Sequence, residues 1–171
     1  MPRTVVRHEA EHLYAAQPLS EAGQRLSQAI LRLRRSERVQ ADRAVRASQL
    51  SSIDLSALRY LVQGHRDGRN LSPKDLITML DTSSATVTNV VERLVSRGYL
   101  IRERHPTDRR AHYLRPTDEA VRHVQDAYGA RDAAVVQIID ELSDSDAEIA
   151  AEVIDRLARA LDRLATADDA I

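Results

Sequence analysis

The 171-residue chain has no cysteine, no tryptophan and no phenylalanine, and five tyrosines supply all of its 3% aromatic content. Without cysteine there can be no disulfide, thiolate metal site, cysteine nucleophile or thiol redox sensor. So few rings argue against a deep pocket walled by stacked aromatics. The five glycines are scattered and form no phosphate-cradling loop. No apolar run approaches the roughly 18 residues of a membrane span. The opening Met1-Pro2-Arg3-Thr4-Val5-Val6-Arg7-His8 lacks the apolar stretch of a secretory signal. A soluble, cytoplasmic protein without membrane contact is expected. Lysine is nearly missing too, since Lys74 stands alone among 25 bases. A GC-rich genome gives that bias without any help from function. What remains is 43% hydrophobic and 30% charged, enough for one domain or two small interleaved units.

The formal charge of −1 conceals an asymmetry. Residues 1–81 carry thirteen bases and nine acids, residues 82–116 seven bases and three acids, and residues 117–171 five bases and fourteen acids. A compact basic segment beside an acidic tail points to a polyanionic partner for that segment alone.

Residues 1–19 read as a loosely ordered arm. Ser20 can cap a helix over 20–48 in which Ala22, Leu26, Ile30 and Leu33 share one face, with Arg32, Arg34, Arg35 and Arg38 elsewhere. A second helix runs through Leu55–Val62 with Asp54 as its expected cap, and ends in the breaker-rich 64–68. Ser72-Pro73-Lys74-Asp75 is a capping box with proline at the first helical position, opening a short helix that ends near Leu80. Asp81-Thr82 turns the chain and Ser83 caps the next helix, which turns Val87, Val90 (or Val91) and Leu94 inward and stops at Gly98.

Past Gly98 the period changes. Residues 99–104 and 111–115 read as two strands joined by the turn formers of 105–110. Pro116 ends the second strand, and Thr117 caps a long helix with the seam Val121, Val124, Tyr128, Val135, Ile138 and Leu142, which Arg131 interrupts. Ser143-Asp144-Ser145-Asp146 opens a last helix striped with Ile149, Val153, Leu157, Leu161 and Leu164. The expected fold is mainly α with a small β-hairpin wing: a winged helix-turn-helix lobe over 49–116, flanked by dimerisation helices over 20–48 and 117–171.

Two short helices and a basic hairpin suit DNA. The second helix fits a major groove while the first braces it against the backbone. Ser83 and Ser84 offer hydroxyls beside free backbone N–H groups at a positive dipole end, a seat for phosphate. Thr86, Thr88, Asn89 and Arg93 lie off the apolar face and should point outward. Asparagine suits bidentate contact with adenine, and arginine suits guanine or phosphate. At the wing tip, Arg109 and Arg110 can enter a minor groove.

Over 80–117 the sequence resembles the MarR family of bacterial transcriptional regulators. The resemblance is carried by Ser83-Ser84-Ala85-Thr86-Val87-Thr88-Asn89-Val90-Val91-Glu92-Arg93-Leu94, then Arg97-Gly98, then Asp108-Arg109-Arg110. With the flanking helices it extends over about 20–165. It implies a homodimer paired through its terminal helices on a pseudo-palindromic operator, one winged lobe per half-site. It gives Arg110 the role of minor-groove arginine and Asp108 that of its orienting partner. It further implies a repressor released by a small, often aromatic effector bound between dimer helices and lobe, with Tyr60, His65 and Tyr128 as candidate pocket residues. Two departures stand out. Asn89 takes a place where the family often has arginine, and Pro116-Thr117 with Ala120 replaces the usual Leu-Thr and later glycine.

His8-Glu9-Ala10-Glu11-His12 matches the H-E-x-x-H pattern of zinc proteases. That chemistry needs a third ligand and a substrate cleft, and here the motif sits in a loose arm with no sheet before it. No metal, cofactor or catalytic group is expected. Two other readings stay open: a winged-helix protein–protein interaction module, which would tolerate loss of the wing arginines, and a metal-dependent enzyme, which would need His8 and His12.

Overall fold

Short side-chain caps set the helix boundaries. The structure, a computed structural model, describes residues 17–104 and 112–168. The chain forms two compact units, Met1–Gly129 and Ala130–Ile171. In the first, helix α1 (Glu21–Ser48) starts where Ser20 Oγ accepts the Gly23 N–H at 3.1 Å. Helix α2 (Ser52–Arg66) is capped by Ser51, whose Oγ accepts the Asp54 N–H at 3.2 Å. This corrects the expectation that Asp54 is the cap. Asp54 lies three residues inside the helix and is buried, with its carboxylate turned to another partner.

Helix α3 (Pro73–Met79) has the expected capping box, with the Asp75 carboxylate accepting the Ser72 N–H at 2.7 Å and Ser72 Oγ accepting the Asp75 N–H at 3.4 Å. The Ser72 backbone N–H, and after it the Ser72 hydroxyl, hold the Asp75 carboxyl below its ordinary value. The box therefore stabilises fully above the ordinary carboxylate range, and loses that contribution as pH falls through the lowered value. Helix α4 (Ser84–Ser96) starts at Ser83, whose Oγ accepts the Thr86 N–H at 3.2 Å.

Helices α3 and α4 end alike. After α3, Asp81 takes the left-handed conformation at φ +47 while the Asp81 and Thr82 N–H groups reach back to the Thr78 and Ile77 carbonyls. After α4, Gly98 does so at φ +76, with Gly98 N–H on Val95 O at 3.0 Å and Tyr99 N–H on Leu94 O at 2.9 Å. This pairing satisfies the last carbonyls of a helix and turns the chain sharply. It makes the tight turn between α3 and α4 and aims the chain into the hairpin.

Strands β1 (Leu100–Arg104) and β2 (His112–Pro116) pair antiparallel, with Leu100 opposite Pro116, Arg102 opposite Leu114 and Arg104 opposite His112. The hairpin is tied to the lobe by the Leu114 N–H, which donates to Leu71 O at 2.9 Å. Leu71 reaches that place over Gly64 of α2, where a Cβ would lie 2.7 Å from the Leu71 side chain. Leu55, Leu58, Leu61 and Val62 of α2, Leu76 of α3, and Val87, Val90, Val91 and Leu94 of α4 are buried together with Leu100 and Leu114. Each such side chain contributes about 1.5–3 kcal/mol on full burial.

Helix α5 (Asp118–Asp140) adds Ala120, Val124 and Tyr128 to that core. Its cap is the expected Thr117, whose Oγ1 accepts the Ala120 N–H at 3.2 Å and donates to Gly98 O at 2.9 Å. His123, which carries no signal singly in the sequence, links three elements. Its Nε2 lies 3.1 Å from Ser48 O at the end of α1, and its ring centroid lies 4.8 Å from that of Tyr99.

The second unit holds the end of α5 and helix α6 (Asp144–Asp168). Ser143 Oγ accepts the Asp146 N–H at 3.2 Å and its hydroxyl donates to the Asp146 carboxylate at 2.7 Å. Helix α5 stops at Asp140, so Leu142 falls in the turn rather than on the expected seam. Ile138, Ile139, Ile149, Leu157, Leu161 and Leu164 are exposed. Among the described residues, no helix is long and apolar enough to cross a membrane.

The two glycines fail differently on substitution. A Cβ at Gly98 meets nothing within 4 Å, so Gly98→Ala should cost only the left-handed penalty of about 1–2 kcal/mol. Gly64→Ala must displace buried Leu71 and should cost about 1–3 kcal/mol by overpacking. Urea unfolding measures both, and Gly98→Asn should recover part of the first loss while Gly64→Asn deepens the second.

Candidate nucleic-acid interface

Burial of Val87, Val90, Val91 and Leu94 fixes the rotation of α4 about its axis. At 100° per residue the opposite side then falls to Ala85, Asn89 and Ser96, all exposed. One flank, carrying Arg93, turns toward α2, and the other, carrying Thr88, turns toward the hairpin.

The expected recognition residues do not all stand free. Ser83 Oγ lies 2.9 Å from Thr86 Oγ1, and Thr88 Oγ1 donates to Ser84 O at 2.9 Å. Those hydroxyls are engaged within the helix. Among the described residues, the Ser84 and Asn89 side chains are exposed and make no hydrogen bond.

Arg93 departs most from expectation. Instead of pointing away, its guanidinium grips Asp54 of α2, with Nε to Oδ2 at 3.1 Å and Nη2 to Oδ1 at 2.6 Å. The hydrogen bond to Asp54 raises the guanidinium pKa further. The Asp54 side chain is 6% exposed and that of Arg93 48% exposed, so the carboxylate is the member withdrawn from water. The reason is geometric. Arg93 is on the flank of α4 that faces α2, and a buried carboxylate there needs a fork of donors. Neighbouring Arg97 is also engaged, its Nη1 donating to Gln49 O at 3.1 Å.

On the hairpin flank, Thr88 and Val91 line a cavity of about 260 Å³ with Pro73, Arg102, His112 and Leu114. The sequence favours a functional over a merely solvated charge for Arg102 and Arg104 and reads His112 as surface or phosphate-facing, but does not place them. Strand alternation could have placed them, because Arg102 shares a face with buried Leu100, and His112 with buried Leu114.

The wing-tip residues Asp108, Arg109 and Arg110 lie outside the described residues, as do His8 and His12. The suggested effector residues occupy unlike surroundings. Tyr128 is buried with the Arg59 guanidinium 4.5 Å above its ring, whereas Tyr60 and His65 are exposed on α2.

Comparison with known proteins places this geometry. A model of the MarR family matches residues 48–111. The HTH-type transcriptional regulator MhqR of Bacillus subtilis is 29% identical over 75 residues, which make up 44% of this chain and 52% of that protein. The chain thus spans about half the length of the curated relative it matches. Among solved structures, Streptococcus pneumoniae FabT in complex with DNA is similar at a TM-score of 0.62 and 20% identity, over 82% of this chain and 98% of that one. The S. aureus MepR–DNA complex is similar at 0.54 and 18%, over 75% and 94%. The shared fold is the winged helix with flanking helices, mainly helical with one small hairpin.

The Arg93–Asp54 pair should respond asymmetrically. Arg93→Ala leaves a buried carboxylate without its donors and should cost about 2–4 kcal/mol, whereas Asp54→Asn keeps an acceptor and returns a half-exposed arginine to water, costing about 1 kcal/mol. Equal losses in urea unfolding would contradict this assignment of the buried partner.

Proposed function

We propose that the chain, whose residues 48–111 match a model of the MarR family, is a cytoplasmic DNA-binding transcriptional regulator. The observation that carries this reading is the outward strip of α4. Asn89 is exposed and unbonded directly opposite the buried face, with Ser84 exposed one turn earlier on the adjoining flank. An amide so placed has the donor and acceptor that adenine presents in a major groove. Ser83, Thr86 and Thr88 adjoin it on the backbone side, and Asp108, Arg109 and Arg110 extend the reading to a minor groove from the wing. Arg93 serves this surface by holding α4 rather than by touching bases. FabT and MepR, which share the fold, have been solved on DNA.

The working form is a homodimer on a pseudo-palindromic operator. The exposed apolar side chains of α6 and of the end of α5 support this reading, because a second copy would remove them from water. Half-site centres would then lie about 10 bp apart. Regulation is repression relieved by a small-molecule effector that favours a lobe spacing unable to fit both half-sites. Its pocket is assigned to the neighbourhood of Tyr60, His65 and Tyr128.

Fluorescence anisotropy against duplexes selected from genomic fragments, beside scrambled duplexes, tests the reading. Asn89→Ala should weaken binding to the selected duplex by about 1–3 kcal/mol and leave scrambled DNA unaffected. Arg110→Ala should weaken both. Equal affinity for the two duplexes, unchanged by either substitution, would instead make the lobe a protein-binding module. Light scattering in the same buffer should give twice the chain mass.

A further inference from the structure

The hairpin sorts its charges by face. Alternation puts Leu100, Arg102 and Arg104 on one side of β1, and His112 and Leu114 on the matching side of β2. Glu103 and Arg115 fall on the other side and pair with each other. The inner face therefore runs from buried Leu100 and Leu114 to three basic side chains, Arg102, Arg104 and His112, with no acid among them. Among the described residues, none of the three pairs with a carboxylate. Glu92, the acid one turn beyond Thr88 on α4, is exposed and does not line the cavity.

We propose that Arg102 and His112, with Arg104 beyond them, hold a backbone phosphate of bound DNA at the cavity between hairpin and recognition helix. The inference rests on the DNA-binding reading and adds to it a sequence-independent contact at a separate place. The cavity of about 260 Å³ has room for a phosphate and its waters. Its floor of Pro73, Val91 and Leu114 is apolar, and a low-dielectric wall strengthens charge-assisted hydrogen bonds to an anion. The donors must come from the hairpin, because the Thr88 hydroxyl proton is already given to Ser84 O. Arginine supplies a planar fork for phosphate oxygens, and His112 supplies a ring N–H in either protonation state. A phosphate held there would fix the hairpin against α4, and with it the reach of the wing.

The test is anisotropy with the full chain on two fluorescein-labelled duplexes of about three helical turns, one selected and one scrambled, titrated with salt. Arg102→Gln and Arg104→Gln should each weaken both duplexes by the same factor, about 5–10-fold near 0.1 M salt, and reduce the log–log salt slope by about 0.9. Arg102→Lys should restore the slope. His112→Gln should weaken both duplexes by a smaller factor. Thermal melts of all variants should match the wild type, since these side chains are exposed. Wild-type binding with a slope unchanged in Arg102→Gln overturns the phosphate contact and leaves the regulator reading intact. A loss confined to the selected duplex makes Arg102 a base reader and also overturns it. No binding of either duplex by the wild type overturns both.

Discussion

Asp54 is a carboxylate taken almost wholly out of water inside the lobe, and the two-pronged grip of Arg93 makes that arrangement tolerable. The pair joins α2, which carries much of the core, to α4, which carries the outward strip. Apolar burial alone would hold α4 against the lobe while permitting small rotations about its axis, because dispersion and desolvation are non-directional. A bidentate ion pair on one flank is directional. With Val87, Val90, Val91 and Leu94 pulling inward and Arg93 anchored at the side, the Cα–Cβ bond of Asn89 has one direction. The side from which the Asn89 side chain projects thus depends on a carboxylate 35 residues earlier in the chain.

Local signals in this sequence are strong, and they marked the elements well. Ser20, Ser72, Ser83, Thr117 and Ser143 all cap helices in the structure as their spacing implies. Gly98 stops α4 for the reason glycine is used there. What the chain could not disclose locally is pairing across distance. Asp54 looks like a cap when only its neighbours are visible, since aspartate before an apolar run is a common helix start. Ser51, three residues earlier, fills that role and frees the Asp54 carboxylate for a partner that periodicity alone cannot identify. Arg93 misleads for the same reason. A helical wheel shows that it is off the core face, but not which neighbour lies beside that flank.

The hairpin shows a third kind of gap. Its strands are legible from their period, but the faces of its charges follow only once alternation is counted from Leu100 and Leu114. That places Arg102 and His112 beside Thr88, where the cavity is found. Charge counting treats the basic segment 82–116 as one patch. Among its described residues, the fold divides it into an arginine spent on Asp54, one spent on the Gln49 carbonyl, one paired with Glu103, and an inner cluster still available.

On the proposed function, that division limits how the lobe discriminates among DNA sequences. Three of the four sides of α4 face the core, α2 and the hairpin cavity, so direct readout would be left with a narrow strip centred on Asn89. One bidentate amide discriminates by about 1–3 kcal/mol. Two lobes of a dimer would double that, which still reaches only the lower part of the roughly 4–10 kcal/mol that separates specific from non-specific binding in such proteins. The remainder must come from elements that read groove width and deformability rather than base edges. On the proposed reading the wing takes that task, since a slender cation senses the narrow minor groove of particular sequences without hydrogen-bonding to them. It can do so only if its base is fixed relative to α4. The Leu114–Leu71 hydrogen bond supplies that fixity from inside the lobe, and a phosphate held by Arg102 and His112 would supply it from the DNA side. On the proposed function, specificity then depends on how rigidly the hairpin is held to the helix as much as on what the helix presents.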